Sequence, residues 1–254
     1  MLIRKEDVAM YFFTNNYLYE YGVMISGENS IVGFPERNIN DGDKNTYWSS
    51  SASSPAITIN MSENRNVDFI WLKASNITSF TVYYYTTSWT QLNGAVQNKG
   101  NNIYWFRANN AVSAKDWKIV FTTTDYIKLY EMFIMQLRLE QTQEIFLPSK
   151  VDVTYEDTIG VEHTLSNGQT VVYSGRRPYA NISIEYQYTP KENRDSLYNI
   201  YSLPYLRSQF CIIPDEDYPE NIYRCVWIDK TFPLIYSISY KGAGFSGTIR
   251  LKEC

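Results

Sequence analysis

Short runs in which apolar and polar residues alternate constrain this chain more than any other feature. The clearest is Ala180-Asn-Ile-Ser-Ile-Glu-Tyr-Gln-Tyr188. A period of two sends every second side chain to one face, which is how a strand with one buried face reads. Residues 57–60, 66–72, 79–84, 117–121 and 130–134 share this β-prone texture, as do 151–155, 210–213, 222–228, 234–240 and 248–251. Helical spacing occurs once, over 190–202. There Thr189 and Glu192 form a capping box, Pro190 takes the first helical position, and Leu197, Ile200 and Tyr201 share one face. Pro204 ends the helix. The chain is therefore expected to be mainly β.

Composition agrees. Aromatic residues make up 16% of the 254, with 23 Tyr, a strand-and-loop usage. The net charge of −4 offers no basic stripe for a phosphate backbone, so nucleic-acid recognition is not expected. No run approaches membrane-spanning length, and residues 1–13 lack the apolar core of a secretion signal, so synthesis in a cytoplasm is expected. Asn60, Asn76 and Asn181 match the glycosylation pattern by chance in an Asn-rich sequence. Cys211, Cys225 and Cys254 are an odd set. Buried thiols are favoured for them, with a 211–225 bridge as the alternative.

Length favours two domains. Residues 1–22 are an aromatic-rich arm or first strand, 23–140 a first domain, and 141–149 a connection ending in Leu147-Pro148-Ser149. Residues 150–254 form a second domain. In it, a hairpin turning on Asn167-Gly168 is expected between 163–165 and 170–173.

The stretch Asn38-Ile-Asn-Asp-Gly-Asp-Lys-Asn-Thr-Tyr-Trp-Ser-Ser50 packs turn residues, oxygen ligands and a core-type aromatic together. Asp41-Gly42 and Asp43 suit a tight turn. Asp41, Asp43 and the Thr46 hydroxyl are hard oxygens of the kind Ca2+ takes, and the alternative is a loop closed by its own hydrogen bonds. This stretch, with the strand order after it, resembles the discoidin family (coagulation-factor 5/8 C-type). The resemblance implies a galactose-binding-like β-sandwich (jelly roll). It also implies a glutamate on the last strand reaching the loop, where Glu131 stands, and hence a structural calcium set of Asn38, Asp41, Asp43, Thr46 and Glu131. Many domains of this fold bind glycans through loops at one end. Trp89, Arg107, Asn109 and Asn110 are the candidates here: an indole that stacks on a sugar ring beside groups that bond its hydroxyls.

The order strand, hairpin, strand, capped helix, Tyr-Arg-Cys-Val-Trp-Ile228 and the glycine-rich C-terminal run resembles the tail-tube-type fold of phage distal-tail, minor-tail and baseplate proteins. That resemblance implies two antiparallel sheets flanked by a helix. It also implies a structural role in a virion tail, with copies of the chain in a ring against other tail proteins and the first domain projecting toward a cell-surface glycan. The domain order is reversed from the usual distal-tail layout. The alternative is a free-standing carbohydrate-binding protein.

Catalytic chemistry is not expected. His163 is the sole histidine, and no nucleophile elbow, phosphate loop or zinc-protease motif is present. Gly242-Ala-Gly-Phe-Ser-Gly247 is expected as a turn of the final hairpin. Asp215-Glu-Asp217, between Pro214 and Pro219, is expected as a solvated turn rather than a glycosidase carboxylate pair. Arg176-Arg177 is expected at a solvated hairpin end.

Overall fold

The computed structural model describes residues 9–41, 43, 45–142, 146–156, 161–164, 170–173, 179–202, 209–239 and 242–254, with backbone alone for 161–164 and 170–173. In chain order the strands are β1 (Met10–Phe13), β2 (Met24–Gly27), β3 (Ala56–Tyr85), β4 (Trp89–Gln91), β5 (Gly94–Gly100), β6 (Ile103–Met135), β7 (Leu137–Gln141) and β8 (Lys150–Glu156). They continue as β9 (Val161–Thr164), β10 (Thr170–Tyr173), β11 (Tyr179–Thr189), β12 (Phe210–Ile213), β13 (Tyr223–Trp227), β14 (Ile235–Ser239) and β15 (Gly242–Glu253). The helix α1 (Lys191–Ser202) lies between β11 and β12, and 3-10 turns lie at Tyr17–Tyr19 and Glu36–Ile39. The protein is mainly β with antiparallel sheets, and the helix falls within the expected span but begins at Lys191, with the Pro190 carbonyl accepting from the Arg194 N–H at 3.1 Å, so Pro190 stands one place before the first helical position expected for it. Among the described residues no helix is long and apolar enough to cross a membrane. The chain forms two compact units, one of residues 12–138 with 217–221, the other of 139–216 and 222–254 with the N-terminal residues through 11.

In the first unit β3 and β6 are each several strands in one, because both bend where their register slips. Ile119 of β6 lies opposite both Ile57 and Val82 of β3, so 116–120 sits between two passes of β3. Conversely, Ile70 of β3 lies opposite both Phe106 and Ile134 of β6. Two layers result. One runs β2, 56–60, 116–120, 81–85, β4, and the other runs β5, 103–107, 69–73, 131–135. Asn76, at φ 66°, lies where β3 passes from one layer to the other, in a conformation Asn tolerates better than most residues. Alternate side chains of both layers, Ile57, Trp117 and Ile119 with Ile70, Leu72 and Met132, share one core, as in a sandwich of aligned sheets. Truncating one of its large rings to Ala would cost about 3–5 kcal/mol.

The second layer is buried on its other face too. Phe69, Trp71, Trp105 and Phe133 are covered, with Phe13 at 4.6 Å from Phe69 and the Trp71 indole donating to the Pro219 carbonyl at 2.8 Å. Two-sided burial explains why 66–72 reads as a nearly unbroken apolar run.

The second unit holds a sheet ordered β1, β12, β13, β15, β11, β8, continued beyond β1 by β7, with β14 paired to β15 alone. β11 alternates as its sequence demands, with Ala180, Ile182, Ile184 and Tyr186 buried. Helix α1 buries Asn193, Leu197 and Ile200, while Tyr201 is half-buried against Trp227 and Phe232. Where the tail-tube resemblance implies two sheets, the described residues of this unit form one sheet and the ribbon β9–β10.

The expected Asn167-Gly168 turn lies outside the described residues, and the ribbon beside it pairs Thr170 with Thr164. One local expectation is corrected. The Gly242–Gly247 run is strand, not turn. A Cβ on Gly244 would stand 2.5 Å from the Tyr188 carbonyl oxygen, and one on Gly247 2.3 Å from that of Pro233. The glycines admit close backbone approach rather than a reversal.

None of the three cysteines forms a disulfide; Cys211 and Cys225 are buried and Cys254 is exposed. Cys211 is opposite Arg224 and Cys225 opposite Phe210, so the two buried thiols point to opposite faces and cannot bridge without backbone movement. Burial pushes the Cys225 thiol well above its usual pKa, with a smaller push from Cys211 and Cys254. Arg176-Arg177 lies outside the described residues, as does the side chain of His163. Asp215–Asp217 sits on the expected bend, with Asp217 exposed and Glu216 accepting from the Tyr11 hydroxyl at 2.8 Å.

Candidate functional site

The β3–β4 hairpin places Trp89. Tyr85 pairs with Trp89 across it, and their rings meet edge to face at 5.4 Å. Thr86, Thr87 and Ser88 at its tip are exposed. Trp48, Trp71, Trp105 and Trp117, the other tryptophans of this unit, are at most 3% exposed, whereas Trp89 is 42% exposed. An indole left in water keeps a large apolar face available for stacking.

Arg107, Asn109 and Asn110 are exposed on β6. Arg107 lies opposite Ala95 and Phe69. Its charge acts on Asp68, whose carboxyl is pushed up by burial and partly held back by the Leu137 N–H and then by Arg107. The Asn109 N–H donates to the Asn93 carbonyl at 3.0 Å. Gly94 follows because a Cβ there would stand 2.4 Å from the Arg107 carbonyl. Asn93 is four residues beyond Trp89, about 13 Å along an extended chain. The three polar candidates thus share one strand segment, and Trp89 stands at the far end of the strand that leads away from it.

The Asp-rich loop is built from its own bonds. The Asp41 carboxylate accepts from the Asp43 N–H at 2.8 Å and the Thr46 hydroxyl at 2.7 Å. That hydroxyl is also 3.0 Å from the Asp43 carbonyl, and the Asp43 carboxylate accepts from the Asn45 N–H at 2.9 Å. Asn38 donates to the Tyr47 carbonyl at 3.0 Å, tying the Glu36–Ile39 turn to the loop's exit. Trp48 anchors that exit in the core, where its indole donates to Ser30 at 2.8 Å. Its backbone bonds Leu129 in both directions, at 2.8 and 2.9 Å. That bridge is isolated, and Glu131, two residues beyond Leu129, is buried. Among the described residues no group of three or more His, Cys, Asp or Glu gathers as a metal-ligand set. The loop's cluster is instead mixed oxygen: the Asp41 carboxylate, the Asp43 carbonyl and the Thr46 hydroxyl.

Sequence reasoning missed a shelf of rings beside this loop. Phe34 stacks on Tyr47 at 4.6 Å, and Tyr130 follows at 5.4 Å. Lys128 lies over Tyr47 and Lys73 over Tyr130. Phe34 and Tyr130 are far apart in sequence, so no local pattern announces it.

No family model matches the chain, and no curated protein matches it. Part of the chain is similar to solved structures. One is the family 32 carbohydrate-binding module of C. perfringens NanJ in complex with galactose, at 16% identity and TM-score 0.43, covering 49% of this chain and 99% of that one. Another is the family 32 carbohydrate-binding module of Streptococcus pneumoniae EndoD, at 16% identity and TM-score 0.39, covering 45% of this chain and 96% of that one. A third is a Ruminococcus gnavus GH29 fucosidase in complex with fucose, at 17% identity and TM-score 0.39, covering 51% of this chain and 27% of that one.

Proposed function

We propose that the first unit is a non-catalytic carbohydrate-binding module whose sugar platform is the Tyr85–Trp89 pair. The observation that carries this reading is the exposure of Trp89, 42%, in a unit whose other tryptophans are buried. A sugar's C–H face stacks on such a ring, and the hydroxyl side chains of Thr86, Thr87 and Ser88 at the hairpin tip supply hydrogen-bond partners. Arg107, Asn109 and Asn110 form a second polar strip on β6, where the Asn109 N–H donates to the Asn93 carbonyl at 3.0 Å. The Asp41–Thr46 loop takes a calcium ion through its mixed oxygens, as a brace for the fold rather than a reactant.

A glycan array followed by calorimetry tests the reading. The intact chain binds at least one oligosaccharide, and Trp89→Ala lowers its affinity at least tenfold, about 1.4 kcal/mol, with an unchanged melting temperature. Binding that survives the substitution removes Trp89 as the platform. A second reading is a structural component of a phage tail. A ring in electron micrographs, with no sugar bound, would support it over the first.

A further inference from the structure

We infer, on the premise that Tyr85 and Trp89 stack on sugar, that the site extends from them across the outer face of the first layer. There it takes a neutral glycan chain of several rings, and Asp116 reads its hydroxyls.

The register of the layer lays this face out. Directly opposite residues in neighbouring antiparallel strands share a face. Trp89 lies opposite Tyr85, Tyr85 opposite Asp116, Asp116 opposite Asn60, and Asn60 opposite Met24. One row of side chains therefore crosses all five strand segments, from β4 to β2. The residues that alternate with it, among them Trp117 and Ile59, belong to the core, so the row faces away from it. Trp89, Tyr85 and Met24 are exposed, and Asp116 and Asn60 are half-buried. Four strand spacings of about 4.8 Å make the face about 19 Å wide, much longer than a single sugar ring.

The chemistry of the face selects its occupant. Aromatic rings gather at the β4 end, while the centre is amide and charge. That mixture suits the ring faces and hydroxyls of a sugar chain better than the apolar centre of a protein interface. Asn60 Nδ2 donates to Oδ1 of Asp116, which fixes the carboxylate and leaves Oδ2 as a second acceptor. An ionised carboxylate only accepts, and its bonds are about twice as strong as neutral ones, so it discriminates among hydroxyl positions. Two residues along β6 on the same face, Lys118 is held by Glu28 at 3.4 Å. One cation thus stands against two carboxylates, and a uronate or sialate meets net repulsion.

Calorimetry of the intact chain reads the outcome. The probes are linear neutral oligomers of glucose, mannose, galactose and N-acetyllactosamine, from one to six rings, with oligogalacturonates and sialylated lactosamines as acidic counterparts. At least one neutral series should bind, with affinity rising about tenfold or more from dimer to tetramer, and the acidic sugars should not. Asp116→Asn should lower the tetramer's affinity about tenfold or more and let an acidic tetramer bind. A merely structural role for Asp116 would leave the preference for uncharged sugar unmoved. Met24→Ala is independent of the Asn60–Asp116 bond. Met24 is 66% exposed, and its loss should shrink the tetramer's advantage over the dimer. Binding that is lost in Trp89→Ala but flat in chain length, or indifferent to Asp116→Asn, overturns the inference and leaves the stacking platform standing. Acidic sugars bound as tightly as neutral ones overturn it too, as does a failure to bind any of these probes. Silence across the whole glycan array would remove the platform as well.

Discussion

Replacing Tyr186 with Phe tests whether a buried polar chain holds the second unit together. Tyr186 donates to the Gln141 side-chain carbonyl at 2.9 Å, and Gln141 donates to Asn193 at 2.7 Å. Asn193 in turn donates to the Thr189 hydroxyl at 2.7 Å and the Phe146 carbonyl at 3.1 Å. Tyr186, Gln141 and Asn193 are all buried, so the chain links β7, β11 and the first turn of α1 with no water to take over a lost bond. Tyr186→Phe keeps the ring and opens no cavity. Its whole cost is one hydrogen bond and a Gln141 oxygen left unsatisfied, about 2 kcal/mol. With a urea slope of about 2–3 kcal/mol/M, the unfolding midpoint should fall by about 0.7–1 M. Gln141→Ala strands both neighbours and creates space as well, so it should cost about 3–4 kcal/mol. A double-mutant cycle should then show coupling of about 1–2 kcal/mol. A loss below about 0.5 kcal/mol for Tyr186→Phe would refute the view that this oxygen has no substitute partner.

Burial raises the pKa of Tyr186, with the Gln141 hydrogen bond opposing it, and burial followed by the Tyr155 hydrogen bond raises that of Tyr223. Folded-state values above the unfolded one mean stability is full below about pH 10 and is lost above it, by up to about 1.4 kcal/mol per pH unit for each tyrosine. Tyr186→Phe should make the decline shallower in alkaline unfolding curves; an unchanged slope would contradict this. Gly244→Ala should destabilise by about 2–3 kcal/mol in chemical denaturation, because its Cβ meets the Tyr188 carbonyl. Wild-type stability in that variant would show that the approach is not tight. Calcium should raise the melting temperature and EDTA reverse it, with Asp41→Asn abolishing the response; a melt blind to both would remove the loop as a cation site.

Local order in the sequence specified much of the fold. Period-two runs at 57–60, 79–84 and 180–186 are short-range signals, and each is realised as strand where it stands. Layering was decided by tertiary structure, because the β texture of 57–60 and of 69–73 reads the same whether the two segments share a sheet or face each other. The slips in β3 and β6 separated them into two layers. Exposure was decided there too: Trp48 and Trp89 are the same residue in similar surroundings, yet one is anchored between Ser30 and Leu129 and the other ends a hairpin. Residues 234–240 read as a strand like the others, but Ile235 and Ile238 are exposed. A sequence dictates the period of its own backbone over a few residues. What lies opposite each face is set by pairings far apart along the chain, and those decide which side chains meet water.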